Sequence, residues 1–133
     1  MPLARMATHN RGEHIHVAVW PTVNDLHQLC SRHYAFEGRC FVLAVGLMMR
    51  SRDLPKELLS EADIENVTRE WLERGGSAVI APNVSYVAEP LYDREELIIA
   101  DLDLSDIDSE LMTLDVSGHY ARPDIFTFET KGR

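Results

Sequence analysis

Two pairs of side chains in this sequence have a spacing that chemistry could use, and the first is Cys30 with His33. On a helix, residues three apart share a face, and a thiolate beside an imidazole can act as a nucleophile. Nucleophilic cysteines favour strained turns or helix N-termini, where the thiol pKa falls, whereas a mid-helix cysteine is usually a small core residue. Position therefore favours a core role for Cys30, and also for Cys40, which opens an apolar strand.

The second pair is His14 and His16, which lie on one face of a predicted strand, as two metal ligands could. A site needs a third ligand, and the sequence places none, so polar alternation on a partly covered strand is the favoured interpretation. The acidic residues between Asp101 and Asp108 also fail as a calcium loop. Counted from Asp101, the required glycine and glutamate positions hold Asp106 and Met112. We therefore predict no metal and no cofactor.

Trp20, followed by Pro21, stands at the end of a predicted strand, where binding sites gather in layered α/β folds. An isolated tryptophan is more often a packing residue than a pocket residue. The residues alone thus give no complete catalytic constellation.

The elements that would position these side chains follow from periodicity and from turn residues. The first four predicted elements are a helix from Pro2 to Asn10 or Gly12, a strand over 14–20, a helix from Asn24 or Asp25 to about Gly38, and a strand over 40–49. The later elements are a helix over 62–74, a hairpin of 77–82 and 84–90 around Asn83, a strand over 96–104, a short helix capped by Ser105, and an extended tail from Gly118 to Phe128. This order predicts an α/β or α+β fold with a layered sheet.

Two of these elements make specific demands on packing. The apolar run at 40–49 predicts a strand buried on both faces, which needs a layer above and a layer below it. The second helix is expected to bury one stripe, made of Leu26, Leu29, Cys30, His33 and either Phe36 or Glu37.

Composition excludes several classes of protein. The 133 residues carry a net charge of −9, and residues 75–133, with 4 basic and 12 acidic side chains, account for −8 of it. An acidic surface repels phosphate backbones, which argues against nucleic-acid binding. No apolar run reaches the ~20 residues of a membrane span, and the first ten residues lack the apolar region of a signal peptide. We expect a cytoplasmic protein with reduced cysteines.

Several ordered blocks resemble the nitrilase, or carbon–nitrogen hydrolase, superfamily. The blocks are residues 12–22 (GEHIHVAVWPT), 32–43 (RHYAFEGRCFVL), 75–82 (GGSAVIAP), 90–92 (PLY), 100–104 (ADLDL) and 118–126 (GHYARPDIF). The resemblance implies a four-layer α-β-β-α sandwich roughly twice this length. Residues 1–133 would form its C-terminal half, a partial domain that starts just after the nucleophile segment.

In this family the active site is a cysteine nucleophile, a glutamate base and a lysine. The resemblance places the nucleophile about five residues before Met1 and the other two further upstream, so it assigns no catalytic residue to this chain. It does place Trp20 and Pro21 in the wall of the substrate pocket. It gives structural roles to Glu37, His119 and Arg122.

The function implied is the C-terminal portion of a nitrilase-like hydrolase, which would be inactive alone. Complete relatives convert a nitrile to a carboxylic acid and ammonia. One alternative is a non-catalytic oligomerisation or interaction module that docks onto itself or onto a nitrilase subunit. Another is the complementing half of a split hydrolase, which would meet a nitrile or amide substrate only when completed by an N-terminal half.

Overall fold

The structure is a computed structural model and describes residues 1–55, 57 and 70–131. Three α-helices lie in this part of the chain: α1 (Pro2–His9), α2 (Asp25–Gly38) and α3 (Ser105–Leu111). The strands are β1 (Ile15–Trp20), β2 (Phe41–Gly46), β3 (Met48–Arg50), β4 (Trp71–Ile80) and β5 (Tyr86–Tyr92), and a short 3-10 helix spans Ser51–Asp53. None of the helices in these ranges is long and apolar enough to cross a membrane.

One mixed sheet organises the fold. β1 pairs in parallel with β2, which pairs antiparallel with β4, while β3 and β5 both pair antiparallel with β4. The β1–α2–β2 unit is a parallel crossover, and its helix starts where predicted because the Asn24 side chain accepts hydrogen bonds from the amides of Leu26 and His27. The mixed α/β class is confirmed and is consistent with part of the implied sandwich.

Helices α1 and α2 lie on one face of the sheet. The core on this face is a cluster of strand and α2 side chains, against which Trp20 and Tyr86 pack: Ala18, Tyr34, Ala35, Cys40, Val42 and Ile80. The predicted buried stripe of α2 is wrong, because Leu26 and Leu29 are 69% and 63% exposed and Cys30 is exposed too. The buried side of α2 instead carries Gln28, Ser31, Tyr34 and Ala35.

The other face of the sheet is covered at one end only. Phe41 and Ala81 are buried there beneath Ile107 of α3, with Leu102 and Leu111 beside them. Towards the other end, Val17 and Val19 of β1 are 54% and 74% exposed. The predicted strand at 40–49 is therefore buried on both faces only at its start, and it divides at Leu47 into β2 and β3.

Three other predicted elements need correction. Residues 71–74 of the predicted helix belong to β4, because they pair with β3, while residues 62–69 lie outside the described residues. Residues 96–104 form no strand, since no neighbouring backbone in the described ranges supplies a ladder. Ser105 is the first residue of α3 and not its cap: the N-cap is Leu104, which makes no side-chain capping bond, and the Asp103 carboxylate accepts from the amide and the hydroxyl of Ser105.

The tail after Gly118 contains turns and is not extended throughout. The predicted hairpin is confirmed, with strands that run further than predicted, from Trp71 and to Tyr92.

Candidate functional site

A cavity of about 680 Å³ opens at the carboxyl ends of β1 and β2. Its lining is mainly apolar and comes from all five strands and from the segment after β5; it includes Val19, Trp20, Pro21, Leu47, Met48 and Leu91. Arg94 and Glu96 stand at the cavity and form an ion pair of 3.0 Å. A mainly apolar cleft with a few polar groups at strand ends is the usual form of a small-molecule site.

β2 and β4 approach closely at this cavity, and the close approach needs glycine. A Cβ on Gly46 would collide with the carbonyl oxygen of Gly75, and Gly75 itself has a positive φ of 87°. The Gly46 amide donates to the Ser77 hydroxyl at 3.0 Å, which fixes that hydroxyl in the cavity wall.

Trp20 and Pro21, the two predicted pocket residues, both line this cavity. The Trp20 indole N–H donates to Ser31 Oγ at 3.1 Å, and its ring meets the His27 ring edge-on at 4.9 Å. Trp20 therefore packs on α2 as well as lining the cavity, so both interpretations of this residue describe part of its surroundings. Its role in substrate binding stays a prediction.

A second cavity, of about 410 Å³, lies on the helix-covered side of Trp20. Met1, Ala4 and Arg5 at the start of α1 line it together with Trp20. The N-terminus of α1 therefore lies at the same edge of the sheet as the carboxyl ends of β1 and β2. Any group that directly precedes α1 would be held near the strand-end cavity.

A polar network joins α1, β1 and α2 beside this second cavity. The Tyr34 hydroxyl donates to Glu13 Oε2 at 2.5 Å and lies 2.8 Å from Thr8 Oγ1, while Glu13 Oε1 is 2.7 Å from His16 Nδ1. The His16 ring stacks on Tyr34 at 3.9 Å. Burial and the hydrogen bond to Glu13 raise the pKa of Tyr34, so its hydroxyl remains a donor at neutral pH.

Sequence reasoning did not find this network. Thr8 comes from α1, Glu13 from the connection between α1 and β1, His16 from β1, and Tyr34 from α2. The signals were that Glu13, His16 and Tyr34 all lie within blocks that resemble the family, and that His16 is a polar residue of a predicted strand.

Glu37 of α2 makes polar contacts with two residues of α1. Its Oε2 lies 3.3 Å from Arg5 Nε and 3.8 Å from His9 Nε2. His9 is buried, and this desolvation lowers its pKa despite the nearby Glu37 carboxylate. The structural role of Glu37 stays a prediction. Its contacts with Arg5 and His9 link α1 to α2.

The other two family-motif residues are on the exposed tail. His119 Nδ1 is 3.7 Å from Asp115, and the Arg122 guanidinium donates twice to the Asp124 carboxylate, at 2.8 and 2.7 Å. These contacts are local in sequence, so they shape the tail and do not bring either residue to the cavity.

Comparisons with known proteins decide the family. The family model for carbon–nitrogen hydrolases matches residues 1–109 of the chain. The chain belongs to the carbon–nitrogen hydrolase family. Its relatives include a bifunctional nitrilase/nitrile hydratase of Lupinus angustifolius, 38% identical over 98% of this chain, and an aliphatic nitrilase of Sinorhizobium fredii, 38% identical over 95%. An arylacetonitrilase of Trametes versicolor is 37% identical over 98% of the chain.

This carbon–nitrogen hydrolase chain spans 38% of the Lupinus protein, 40% of the Sinorhizobium protein and 41% of the Trametes protein. It therefore corresponds to well under half of each of these three relatives. The comparisons confirm the family, and the position of this chain within a complete domain stays a prediction.

Neither cysteine in the carbon–nitrogen hydrolase chain has the surroundings of an activated nucleophile. Cys40 is fully buried, and burial raises the pKa of its thiol to about 12, so it is protonated at neutral pH. Cys30 is exposed in the middle of α2, away from the helix N-terminus where a thiolate would be stabilised, so the core role predicted for it is wrong. Among the described residues, no three His, Cys, Asp or Glu side chains gather as a metal site would require.

Proposed function

We propose that this chain supplies the C-terminal part of a nitrilase-type hydrolase and has no nitrilase activity by itself. The observation that carries the proposal is the pairing of a family match from residue 1 with two cysteines that are both unsuited to nucleophilic attack. A nitrilase reaction needs a thiolate that attacks the nitrile carbon and a base that activates water against the covalent thioimidate. Without a nucleophile the covalent route is lost completely.

The contribution of this part would be the wall of the substrate pocket. The mainly apolar cavity at the strand ends suits the organic group of a nitrile or amide, and Trp20 and Pro21 lie in its wall. The start of α1 beside Trp20 would bring a nucleophile segment that precedes α1 to this cavity. The catalytic glutamate and lysine would come from the portion of the domain outside these 133 residues.

An ammonia-release assay tests the proposed inactivity. The purified chain is incubated with benzonitrile, phenylacetonitrile and an aliphatic nitrile, and we expect no ammonia above the buffer blank. The Cys30→Ala and Cys40→Ala variants serve as matched controls. Turnover by the unaltered chain that either substitution abolishes would overturn the proposal.

A complementation assay tests the positive half. The part of the Sinorhizobium nitrilase that precedes the matched region is produced separately and mixed with this chain. We expect ammonia release only when both polypeptides are present and the upstream cysteine nucleophile is intact. A stable complex that releases no ammonia from any nitrile or amide would count against a hydrolase and favour a binding role.

A non-catalytic interaction module is the second candidate function, and the uncovered part of the sheet supports it. Val17, Val19, Val45 and Leu47 are between 44% and 74% exposed, and an apolar patch of this kind favours association with another surface. Size-exclusion chromatography with light scattering distinguishes the two candidates. A concentration-independent monomer would argue against self-docking.

We also propose that the chain works in the cytoplasm. Two free cysteines and the lack of any membrane-crossing helix in the described ranges support this location. Fractionation of cells that express the tagged chain would test it, and recovery in the membrane pellet would contradict it.

A further inference from the structure

Ser77 of β4 places a hydroxyl group in the wall of the strand-end cavity. Its oxygen accepts a hydrogen bond from the Gly46 amide at 3.0 Å, which fixes the position of the oxygen. A serine hydroxyl can also donate one hydrogen of its own. In the described part of the chain, the bond from Gly46 is the only hydrogen bond that this hydroxyl makes. The Ser77 proton is therefore available to a molecule in the cavity.

The other polar side chains of this cavity are either already bonded or charged. The Trp20 indole N–H donates to Ser31 Oγ, so it has no hydrogen left for a ligand. One positive and two negative side chains, Arg94, Glu95 and Glu96, give the lining a net charge of −1. Arg94 pairs with Glu96, and the two side chains are 66% and 53% exposed, so solvent reaches both charges. Among the described lining side chains, the serine hydroxyl is the one uncharged donor that remains free.

We propose that Ser77 determines specificity for an uncharged substrate, because its hydroxyl donates to the nitrogen of a nitrile whose organic group fills the cavity. A nitrile nitrogen accepts a hydrogen bond and has no hydrogen to donate, so it matches a single O–H donor. The apolar part of the lining, which includes Val19, Leu47, Met48 and Leu91, suits an aryl or alkyl group.

The same arrangement disfavours the carboxylate that hydrolysis of a nitrile produces. Transfer of a carboxylate from water to an apolar wall is costly unless a cation pairs with it. Arg94 is the one cationic side chain of the described lining, and it is already paired with Glu96 at 3.0 Å. Glu95 adds a further negative charge at the cavity. The cavity therefore selects the substrate over the product, which favours release of the product.

This inference rests on the proposed function for the choice of a nitrile, but its test needs no hydrolysis. Binding to the cavity is measured on the chain itself, whereas the proposed function is judged by ammonia release after complementation. A failure of one is therefore distinguishable from a failure of the other.

NMR of the methionine methyl groups tests the proposal and distinguishes the two cavities beside Trp20. Met48 lines the strand-end cavity, and Met1 lines the second cavity. The probes are phenylacetonitrile, phenylacetate and 3-phenyl-1-propyne, in which an alkyne C–H replaces the nitrile nitrogen in a molecule of nearly the same shape. We expect the nitrile to cause a saturable shift of the Met48 methyl signal.

The relative affinities of the three probes report the two parts of the proposal. We expect the nitrile to bind about two- to tenfold more tightly than the alkyne, which is the contribution of one neutral hydrogen bond. We expect it to bind at least about tenfold more tightly than phenylacetate, because the carboxylate loses water without gaining a free cation.

Substitution of Ser77 gives the matching mutational test. Ser77→Ala should weaken binding of the nitrile by about two- to tenfold and leave the affinity for the alkyne within about twofold. A merely structural loss would weaken the two probes equally. Ser77→Thr keeps the hydroxyl and is the matched control, and we expect its affinity for the nitrile to stay within about threefold of the unaltered chain.

Release of Arg94 from its ion pair tests the discrimination against the product. Glu96→Gln should raise the affinity for phenylacetate by about two- to fivefold at low ionic strength, the range for an exposed ion pair. Glu89→Gln, an exposed position of β5 outside the cavity lining, is the control for the change in net charge.

Three results would overturn the proposal. One is the absence of a saturable Met48 shift with the nitrile, and another is equal affinity of the unaltered chain for the nitrile and the alkyne. The third is phenylacetate binding that is as tight as nitrile binding. These comparisons use the unaltered chain, so they decide the question even if a variant does not fold.

Discussion

Replacing Tyr34 by phenylalanine isolates the hydroxyl that joins three elements of the structure. The ring would remain in its buried position, stacked against His16 and edge-on to His9, so packing is preserved. The change removes a 2.5 Å hydrogen bond to the Glu13 carboxylate and a 2.8 Å contact with Thr8. Only these polar interactions differ between the two proteins.

The expected loss in the free energy of unfolding follows from the charge of the acceptor, the Glu13 carboxylate. A hydrogen bond to a charged group contributes about 1.5–3 kcal/mol, roughly twice the value for a neutral pair. Thr8 keeps its bond to the Arg5 carbonyl and Glu13 keeps its contact with His16, so neither partner is left without one. We therefore expect Tyr34→Phe to lower the free energy of unfolding by about 2 kcal/mol, in the middle of that range.

Urea unfolding followed by circular dichroism measures this loss, and Tyr86→Phe is the matched control. The Tyr86 hydroxyl donates to Gln28 Oε1 at 3.3 Å, a longer bond to a neutral acceptor, so its loss is expected to cost less than about 1 kcal/mol. Equal losses in the two variants, or a loss for Tyr34→Phe below about 0.5 kcal/mol, would refute the charge-assisted network.

Three further predictions concern buried groups. Burial lowers the pKa of His9 below its ordinary value of 6.5, so the folded state favours the neutral ring. The free energy of unfolding should therefore fall as the pH drops through 6.5 towards the lowered pKa. The His9→Gln variant should show a flatter dependence of stability on pH in this range. A thiol reagent should modify Cys30 in the native chain and reach buried Cys40 only on unfolding; two equally fast thiols would contradict the packing of α2. Gly38→Ala should destabilise the chain by about 1–3 kcal/mol, because the new methyl group meets the His9 ring, and adding His9→Ala should remove most of the clash.

Sequence patterns predicted the elements that are marked by strong local signals. Pro2 at a helix start, the alternation that ends at Trp20 and Pro21, and the Asn24 cap each depend on neighbouring residues, and each is present in the structure. The strand-end position of Trp20 likewise followed from Pro21. Local chemistry was sufficient for these features.

The faces of α2 could not be predicted in the same way. Apolar periodicity favoured burial of Leu26 and Leu29, yet the sheet takes the opposite side of the helix, where Gln28 donates to the Gly76 carbonyl at 2.7 Å. This bond satisfies a backbone acceptor in β4, far away in sequence. A periodicity measure that counts only apolar residues does not register it.

The strand prediction for residues 96–104 was wrong for a different reason. Its alternation is that of a strand, and Leu97 and Ile99 are 81% and 82% exposed. Alternation specifies side-chain direction, but a strand also needs a hydrogen-bonded neighbour, which nothing in the described ranges provides. The alternation alone was therefore not enough to predict a strand, because the local sequence does not specify the neighbouring strand that would pair with it.

The placement of Trp20 between two cavities gives the chain an intrinsic optical reporter. Its indole is tied to Ser31 and faces His27, so its emission depends on how α2 sits on the sheet. The other tryptophan, Trp71, lies at the start of β4 under the Arg50 guanidinium, in separate surroundings. Fluorescence from Trp20 would therefore register a molecule entering either cavity, without any label and before any reaction is measured.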